Sequence, residues 1–217
     1  MSKLRKIHFG PGPSWNKVKE SKDWYCLDAD PNRATDKNGV MNFNTSFEKL
    51  PFESNSCEAI YASHTFEHIN PAVFPKVLKE CYRVLNKNGC IRIIVPDPLK
   101  SIKHYLDGNK DFGLFKRRAN SPHHRKLLGG EPTLFELMRL DFISLSAQPI
   151  LGKFTLAHQN AWDPETMFEC LKRAGFKKEN THQLDFKVSK TNLFNFEGTY
   201  PSEANEKDRS QYFEAIK

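Results

Sequence analysis

The sequence predicts an α/β fold: one domain over residues 1–217, built on a mostly parallel sheet. Residues 4–12 form a short apolar run that ends in closely spaced glycines, as a buried strand does before a ligand-binding turn. Further apolar runs then alternate with helical patterns, which is typical of parallel sheets. Polar residues gather where the predicted strands end, at the edge where open α/β sheets bind ligands.

Composition and charge set broad limits on the protein. Its 217 residues carry 33 basic and 26 acidic side chains, a net charge of +7 spread over small groups such as Lys116, Arg117 and Arg118. The five cysteines form no C-x-x-C pair, so we expect neither a disulfide framework nor a zinc knuckle. No apolar run approaches the roughly 20 residues that span a bilayer. We therefore expect a cytoplasmic protein with no membrane partner.

The first turn and the second predicted strand offer a candidate ligand site. Gly10 and Gly12, on either side of Pro11, let the backbone approach a ligand closely. The predicted strand over residues 23–28 ends in Asp28, 16 residues beyond Gly12, near the spacing at which a carboxylate reaches a ribose diol. A helix-capping or turn role for Asp28 is an equal alternative.

The rest of the chain continues the alternation, with one interruption. We predict strands over residues 40–43, 57–63, 90–95, 176–188 and 211–216, and helices over 14–21, from Asn70-Pro71 or slightly later to Asn88-Gly89, and from Asp163 to Gly175. Between them, residues 99–160 mix aromatic, basic and glycine residues without a sheet pattern. A segment of this length is typical of a substrate-covering insertion.

Several motifs, in this order and spacing, resemble a known family. They are Ile7-His-Phe-Gly-Pro-Gly12, Trp24-Tyr-Cys-Leu-Asp28, Glu48-Lys-Leu-Pro-Phe52, Ala62-Ser-His-Thr-Phe-Glu-His-Ile69, Leu78-Lys-Glu-Cys-Tyr-Arg-Val-Leu85, Asn88-Gly89, Val95-Pro-Asp97, Ala174-Gly175-Phe176 and Phe213-Glu-Ala-Ile-Lys217. Together they are similar to the small class I S-adenosylmethionine-dependent methyltransferases, over about residues 3–98 and 160–217. The resemblance implies a Rossmann-like, mostly parallel seven-stranded sheet with helices on both faces and an insertion after the fifth strand.

The resemblance also implies a site for S-adenosylmethionine. It places Asp28 on the ribose hydroxyls and Ser63 and His64 beside the methyl group. Two positions depart from the family pattern, because His8 and Ser46 stand where an acid is usual. The implied cofactor-binding residues are Gly10, Pro11, Gly12, Asp28, Ala29, Ser46, Phe47 and Ser63.

A sulfonium already carries an activated methyl group, so the protein must mainly align the acceptor and remove its proton. Histidine is a natural base at neutral pH, and the candidates are His64, His68 and His158. His68 and His158 are also open to purely structural hydrogen-bonding roles. The predicted acceptor is a hydroxyl or amine of a small or saccharide-like molecule, held under the 99–160 insertion.

Other interpretations remain open. The His64-x-x-Glu67-His68 spacing matches a zinc-peptidase pattern, but the residues follow a strand instead of lying on a helix. Glu67, His68 and a histidine such as His158 are a conceivable metal set, but His64 replaces one of the usual acids, so we predict no metal. A cofactor-binding domain without activity is another alternative. A nucleic-acid methyltransferase, suggested by the basic residues 116–126, is disfavoured because the chain lacks an Asn/Asp-Pro-Pro-aromatic motif.

Overall fold

The computed structural model describes residues 5–11, 24–28, 40–42, 49–143, 157–197, 203 and 208–217. The predicted helix over 14–21 and the candidate site residues Gly12, Ala29, Ser46 and Phe47 lie outside these ranges. The strands are Arg5–Phe9 (β1), Trp24–Asp28 (β2), Val40–Asn42 (β3), Cys57–Ser63 (β4), Leu85–Pro96 (β5), Thr181–Leu184 (β6) and Ser210–Ile216 (β7). The helices are Phe74–Val84 (α1), Pro98–Leu106 (α2), Gly113–Ala119 (α3), Pro122–Leu128 (α4), Leu134–Arg139 (α5) and Pro164–Ala174 (α6).

The strands form one mixed sheet in the order β3-β2-β1-β4-β5-β7-β6. Strands β1 to β5 pair in parallel, whereas β7 runs antiparallel to both β5 and β6. The predicted α/β class is therefore confirmed. Because the chain moves outward from β1 in one direction and from β4 in the other, the carboxyl ends of these two strands flank the crevice where open α/β sheets bind ligands.

Helices α1 and α6 cover one face of the sheet. Alternate strand residues such as Ile7, Ile60 and Ile93 point into this core and are buried. Helix α6 begins at the predicted Asp163 cap, whose carboxylate accepts a hydrogen bond from Thr166 N at 2.8 Å. It ends at Gly175, whose φ of +118° turns the chain beside the Tyr82 ring.

The other face has a different cover. Trp24, Tyr61 and Tyr212 point to this side and pack against Phe194 and Phe196. Within the described ranges this layer is made by residues 186–196, which form no helix. The expectation of helices on both faces is therefore not met by the part of the chain that the structure describes.

Helix α1 and the end of the sheet differ from the sequence-based prediction. The helix ends at Val84, not at Asn88-Gly89, because Leu85 is already extended and pairs with Cys57 of β4. Asn88, with φ of +68°, lies in an irregularity near the start of β5. Strand β6 covers only four of the thirteen residues predicted over 176–188.

Two charged residues of α1 anchor the segment before β4. Glu80 Oε2 accepts a hydrogen bond from Leu50 N at 2.7 Å, and Arg83 donates to the carbonyls of Phe52 at 2.9 Å and Leu50 at 3.2 Å. The Leu-Pro-Phe and Arg-Val-Leu motifs therefore meet in a structural clamp, away from the candidate site. The Arg83 guanidinium lowers the pKa of the Glu80 carboxyl.

Helices α2 to α5 follow β5 and build a small core of their own around Phe112, Phe115 and Leu137. The buried Arg118 joins this layer together by donating to the Asp141 carboxylate and to Leu137 O. None of the described helices is both long and apolar enough to cross a membrane.

Candidate active site

The candidate site begins where three neighbouring strands end. Gly10 follows β1 and donates its N–H to Leu27 O in β2 at 2.7 Å. Asp28 is the last residue of β2 and is 7% exposed, and Ser63 is the last residue of β4. The structure thus brings Gly10, Asp28 and Ser63 to one edge of the sheet, next to the buried Pro11.

Glycine is required at position 10 for two reasons, the positive φ angle and the close contact with Thr65. Its φ is +57°, and a Cβ at this position would lie 2.4 Å from Thr65 Oγ1 and 2.6 Å from Thr65 Cγ2. The Thr65 hydroxyl lies 3.0 Å from Phe9 O and 3.1 Å from Ser63 O, so it ties the ends of β1 and β4 together. Thr65 was not among the predicted site residues, although it stands inside the Ala62–Ile69 motif.

His64 has a hydrogen-bond partner on each side of its ring. Its Nε2 lies 2.8 Å from Ser210 Oγ, and its Nδ1 lies 3.2 Å from Glu67 Oε1 and 3.1 Å from Arg209 Nη2. The backbone is held in the left-handed region, with φ of +48°, by a hydrogen bond from His64 N to Ile94 O. A buried carboxylate that holds one nitrogen of an imidazole leaves the other nitrogen to take a proton.

Glu67 is the buried acid of this cluster, only 1% exposed. Burial alone would raise the pKa of its carboxyl, but the His64 hydrogen bond and the nearby His64, His68 and His158 outweigh burial, and the pKa is lowered. The carboxylate therefore stays ionised at neutral pH.

His68 and His158 also lie near Glu67, with their ring centroids 5.1 Å apart. They come from distant parts of the chain, and the segment after residue 156 is docked by backbone bonds from Gln159 N and Asn160 N to Glu67 O at 2.7 and 3.0 Å. Burial lowers the pKa of His158, so its ring is neutral at pH 7. Glu67, His68 and His158 can together offer three metal-ligand atoms, all within 4.8 Å of one another.

His8 does not line this site. Its ring packs edge-on against Tyr61, with centroids 5.0 Å apart, and against Trp24 at 6.4 Å, both in the core of the second face. Burial lowers its pKa to about 3. The residue that replaces a usual acid in the sequence pattern is therefore a neutral core histidine here.

Two cavities open beside the His64 cluster. The smaller, of about 320 Å³, lies against α3, α4 and the segment around His158, and its lining includes Arg117, Arg118, His124 and Arg209. The larger, of about 730 Å³, lies between the ends of β5, β6 and β7 and reaches Ser210, Asp97 and Lys100. Ser210 and Arg209 were not predicted from the sequence, because nothing near them indicates that they meet His64.

The donor set at the strand ends is suited to a nucleoside cofactor. A buried carboxylate beside a glycine turn, at the point where strand order reverses, is the arrangement that binds a ribose diol in sheets of this kind. The described residues that fit this role are Gly10, Pro11, Asp28 and Ser63.

Comparisons with known proteins agree with the fold. Residues 10–93 match the family model described as a methyltransferase domain. A SAM-dependent methyltransferase from Archaeoglobus fulgidus shares 15% sequence identity, with 100% of this chain and 87% of that chain covered and a TM-score of 0.55. A second, from Thermotoga maritima, shares 16% identity, with 100% and 84% covered and a TM-score of 0.50. The comparison with curated proteins yields no match.

The structural neighbours share the fold, and the family match covers the glycine turn, Asp28 and the His64–Glu67 segment. Together they support the resemblance found in the sequence, with S-adenosylmethionine as the cofactor: residues 10–93 match a methyltransferase domain, and the α/β fold is shared with SAM-dependent methyltransferases.

Proposed function

We propose that this enzyme transfers the methyl group of S-adenosylmethionine to a hydroxyl or amine of a small or saccharide-like acceptor, with His64 as the general base. The proposal rests on two hydrogen bonds of His64, the residue that follows β4: one joins its ring to Glu67 and the other joins it to Ser210. When bound, the cofactor supplies a methyl group on a sulfonium. The chain has only to hold the acceptor in line and to accept its proton.

The proposed cofactor contacts follow the strand ends. Asp28 accepts hydrogen bonds from the ribose hydroxyls, because its buried carboxylate ends β2 beside Gly10. The full proposed set is Gly10, Pro11 and Gly12 under the amino-acid end, Asp28 and Ala29 at the ribose, Ser46 and Phe47 at the adenine, and Ser63 beside the methyl group.

His64 is a better base than the other two histidines on geometry. When Nδ1 donates its proton to Glu67, Nε2 carries the lone pair and lies 2.8 Å from Ser210 Oγ. In this tautomer Nδ1 cannot also accept from the Arg209 guanidinium, which only donates. An acceptor hydroxyl that reaches Nε2 would meet a nitrogen ready to take its proton. The Nδ1 atoms of His68 and His158 instead donate to backbone carbonyls, and neither ring contacts Ser63 or Ser210 among the described bonds.

The acceptor is proposed to occupy the smaller cavity, under helices α3 to α5. Its polar lining is Arg117, Arg118, Ser121, His124, His158 and Arg209, and no carboxylate side chain of the described residues lines it. Arg117 and Arg118 are paired with Asp208 and Asp141, so the lining is proposed to bind the oxygen atoms of a hydroxyl acceptor through its N–H donors. The single-domain organisation, with residues 99–160 as the substrate cover, is part of the same proposal.

The test separates cofactor binding from transfer. Asp28→Ala should weaken S-adenosylhomocysteine binding, measured by calorimetry, by about 10-fold or more, since a hydrogen bond to a charged group contributes about 1.5–3 kcal/mol. His64→Gln should bind the cofactor normally but lose about 10²–10⁴-fold in kcat on an acceptor found by screening sugars, polyols and amines. Unchanged binding in Asp28→Ala, or full activity in His64→Gln, would contradict the assignment.

A further inference from the structure

The Nδ1 atom of His64 has two neighbours that require different things of it. Glu67 Oε1 lies 3.2 Å from this nitrogen, and Arg209 Nη2 lies 3.1 Å from it. A carboxylate oxygen can only accept a hydrogen bond, so the contact with Glu67 needs a proton on Nδ1. A guanidinium nitrogen can only donate, so the contact with Arg209 needs a lone pair there. One nitrogen atom cannot satisfy both contacts at once, whatever else either side chain touches.

The other ring nitrogen is compatible with both states. His64 Nε2 lies 2.8 Å from the hydroxyl of Ser210, a residue that is 2% exposed. A hydroxyl group can rotate to donate to a lone pair or to accept from an N–H. The Ser210 contact therefore follows the tautomer of His64 and does not select it. The selection is made at Nδ1, where Glu67 and Arg209 compete.

Burial makes Glu67 a strong competitor for the Nδ1 proton. The residue is 1% exposed, and its Oε2 has no hydrogen-bond partner among the described residues. Its Oε1 lies 4.0 Å from His68 Nε2, too far for a hydrogen bond. Within the described part of the chain, the His64 ring is thus the donor on which this carboxylate depends. Because a buried ionised oxygen without a donor is costly, Glu67 stabilises the tautomer that leaves the lone pair on Nε2.

Arg209 stabilises the opposite tautomer, and it does so from the wall of the smaller cavity. The half-buried Arg209 lines this cavity together with Ser121 and His124. When its N–H is donated to His64 Nδ1, the neutral ring carries its proton on Nε2 and cannot accept another one there. Conversion to the other tautomer releases the Nε2 proton to water and takes up one at Nδ1 from water. The charge of the ring does not change.

We propose that Arg209 is a positioning residue that competes with Glu67 for His64 Nδ1, and that an acceptor oxygen which takes the Arg209 N–H shifts His64 to the tautomer with its lone pair on Nε2. The base is then fully formed only when the smaller cavity is occupied. This meaning of the shift rests on the proposed role of His64, whereas the shift itself does not. The acceptor must then carry a second oxygen besides the reacting hydroxyl, as polyols, sugars and hydroxy acids do.

The test measures the ring ¹⁵N chemical shifts of His64 by NMR in the full chain labelled with ¹⁵N-histidine, without cofactor or acceptor. At about pH 8.5 a histidine of ordinary pKa is neutral. A protonated ring nitrogen and one with a lone pair differ widely in shift, so the two neutral tautomers and the charged ring are told apart. The signals of His64 are those that His64→Gln removes. We expect averaged shifts in the native chain, because both tautomers are populated.

Arg209→Met should move the tautomer ratio toward the proton on Nδ1 by about 10-fold, the factor expected for loss of one hydrogen bond from a charged donor. Glu67→Gln should move the ratio in the opposite direction. Arg117→Met is the matched control, because it removes another guanidinium from the lining of the same cavity. The described ion pair of Arg117 is with Asp208, so the His64 shifts should stay those of the native chain.

Inorganic phosphate is the probe for an oxygen ligand, because a guanidinium binds its oxygens well. Saturating phosphate should shift the His64 signals of the native chain as Arg209→Met does, and should not shift them further in Arg209→Met. Circular dichroism checks folding, and Arg209→Met decides alone if Glu67→Gln does not fold. Equal His64 shifts in the native chain and Arg209→Met would overturn the proposal, and so would native shifts that phosphate leaves unchanged.

The NMR experiment is independent of methyl transfer. If the tautomer shifts as expected but His64→Gln keeps full activity, the role of His64 as base is wrong and the competition at Nδ1 stands. If the tautomer does not shift but His64→Gln loses activity, the base stands and the role of Arg209 is wrong.

Discussion

At the residue scale, Gly10 shows how one side chain can dictate the backbone of a neighbouring turn. Gly10→Ala would place a methyl group 2.4 Å from Thr65 Oγ1, in addition to holding alanine at φ of +57°. The left-handed angle costs about 1–2 kcal/mol, and the forced overlap adds about 1–3 kcal/mol. We expect a loss of about 2–5 kcal/mol in the free energy of unfolding, measured with urea.

Gly108→Ala isolates the backbone part of this cost, because Gly108 has φ of +62° but nothing within 4 Å of an added Cβ. It should lose only about 1–2 kcal/mol. In a Thr65→Ala background, Gly10→Ala should then cost less than in the native chain. Equal losses at the two glycines would show that the Thr65 contact does not matter.

A second residue-scale prediction concerns pH. Burial lowers the pKa of His8 from 6.5 to about 3, so between these values the unfolded chain binds a proton that the folded chain does not. Stability from this residue is therefore complete above pH 6.5 and falls by about 1.4 kcal/mol per pH unit below it. His8→Phe keeps an aromatic ring and removes the titration.

The expected result is that the native chain loses about 2 kcal/mol more than His8→Phe between pH 7 and pH 5. Urea unfolding of both proteins at both pH values gives the change in the free energy of unfolding with pH for each. Subtracting one change from the other cancels the titrations that both proteins share. Parallel pH profiles would mean that His8 is accessible to protons in the folded state.

At the element scale, a buried ion cluster fastens the cover of the second sheet face. Arg92 of β5 donates to Glu203 at 2.5 and 2.9 Å and to Glu214 of β7 at 2.9 Å, and also to the carbonyls of Val188 and Asp185. Glu203 and Glu214 in turn accept the backbone N–H groups of Lys187 and Lys190. One arginine thus connects two strands to the loop that carries Phe194 and Phe196.

Arg92→Met should be strongly destabilising, because it leaves two carboxylates buried without their cation. Breaking such a cluster costs about 3–5 kcal/mol. Lys172→Met, which removes the exposed pair with Glu169, is the control and should change stability by less than about 1 kcal/mol. A small effect at Arg92 would indicate that water reaches the cluster.

The same scale shows what the sequence could predict of the fold. Strands β1, β2 and β4 and helix α6 were located to within one or two residues, since apolar runs and the Asp163 and Gly175 caps mark them clearly. The predicted end of α1 was wrong. Asn88-Gly89 is a turn signal, but here it lies in an irregular part of β5, where Asn88 N is hydrogen-bonded to Lys217 O. The layer that packs on the second face of the sheet was not predicted, because aromatic residues such as Phe194 do not recur there with helix or strand periodicity.

The candidate site was predictable only where its residues end or directly follow a predicted strand. Gly10, Asp28, Ser63 and His64 were identified because each directly follows or ends a strand. The contact of His64 with Arg209 and Ser210 joins positions about 145 residues apart, and no local pattern encodes it. His158 was identified by residue type, but its meeting with Glu67 and His68 depends on the tertiary fold.

At the scale of the whole molecule, the net charge of +7 raises the question of nucleic-acid binding, and we expect none of consequence from residues 116–125. Each of four cations over residues 116–125 has a carboxylate partner: Lys116 with Asp111, Arg117 with Asp208, Arg118 with Asp141 and Arg125 with Glu131. Paired cations release few counterions from DNA, so the basic run is better explained as internal support for α3 and α4.

We therefore expect weak DNA binding with a shallow salt dependence, a slope of log K against log salt no steeper than about −2, measured by anisotropy of a labelled duplex. Asp111→Asn combined with Glu131→Gln releases the partners of Lys116 and Arg125 and should steepen the slope by about one to two. A native slope of about −5 or beyond would instead require several phosphate contacts. That result would move the acceptor from a small molecule to a nucleic acid, because the insertion would then bind a strand across the cavity next to His158.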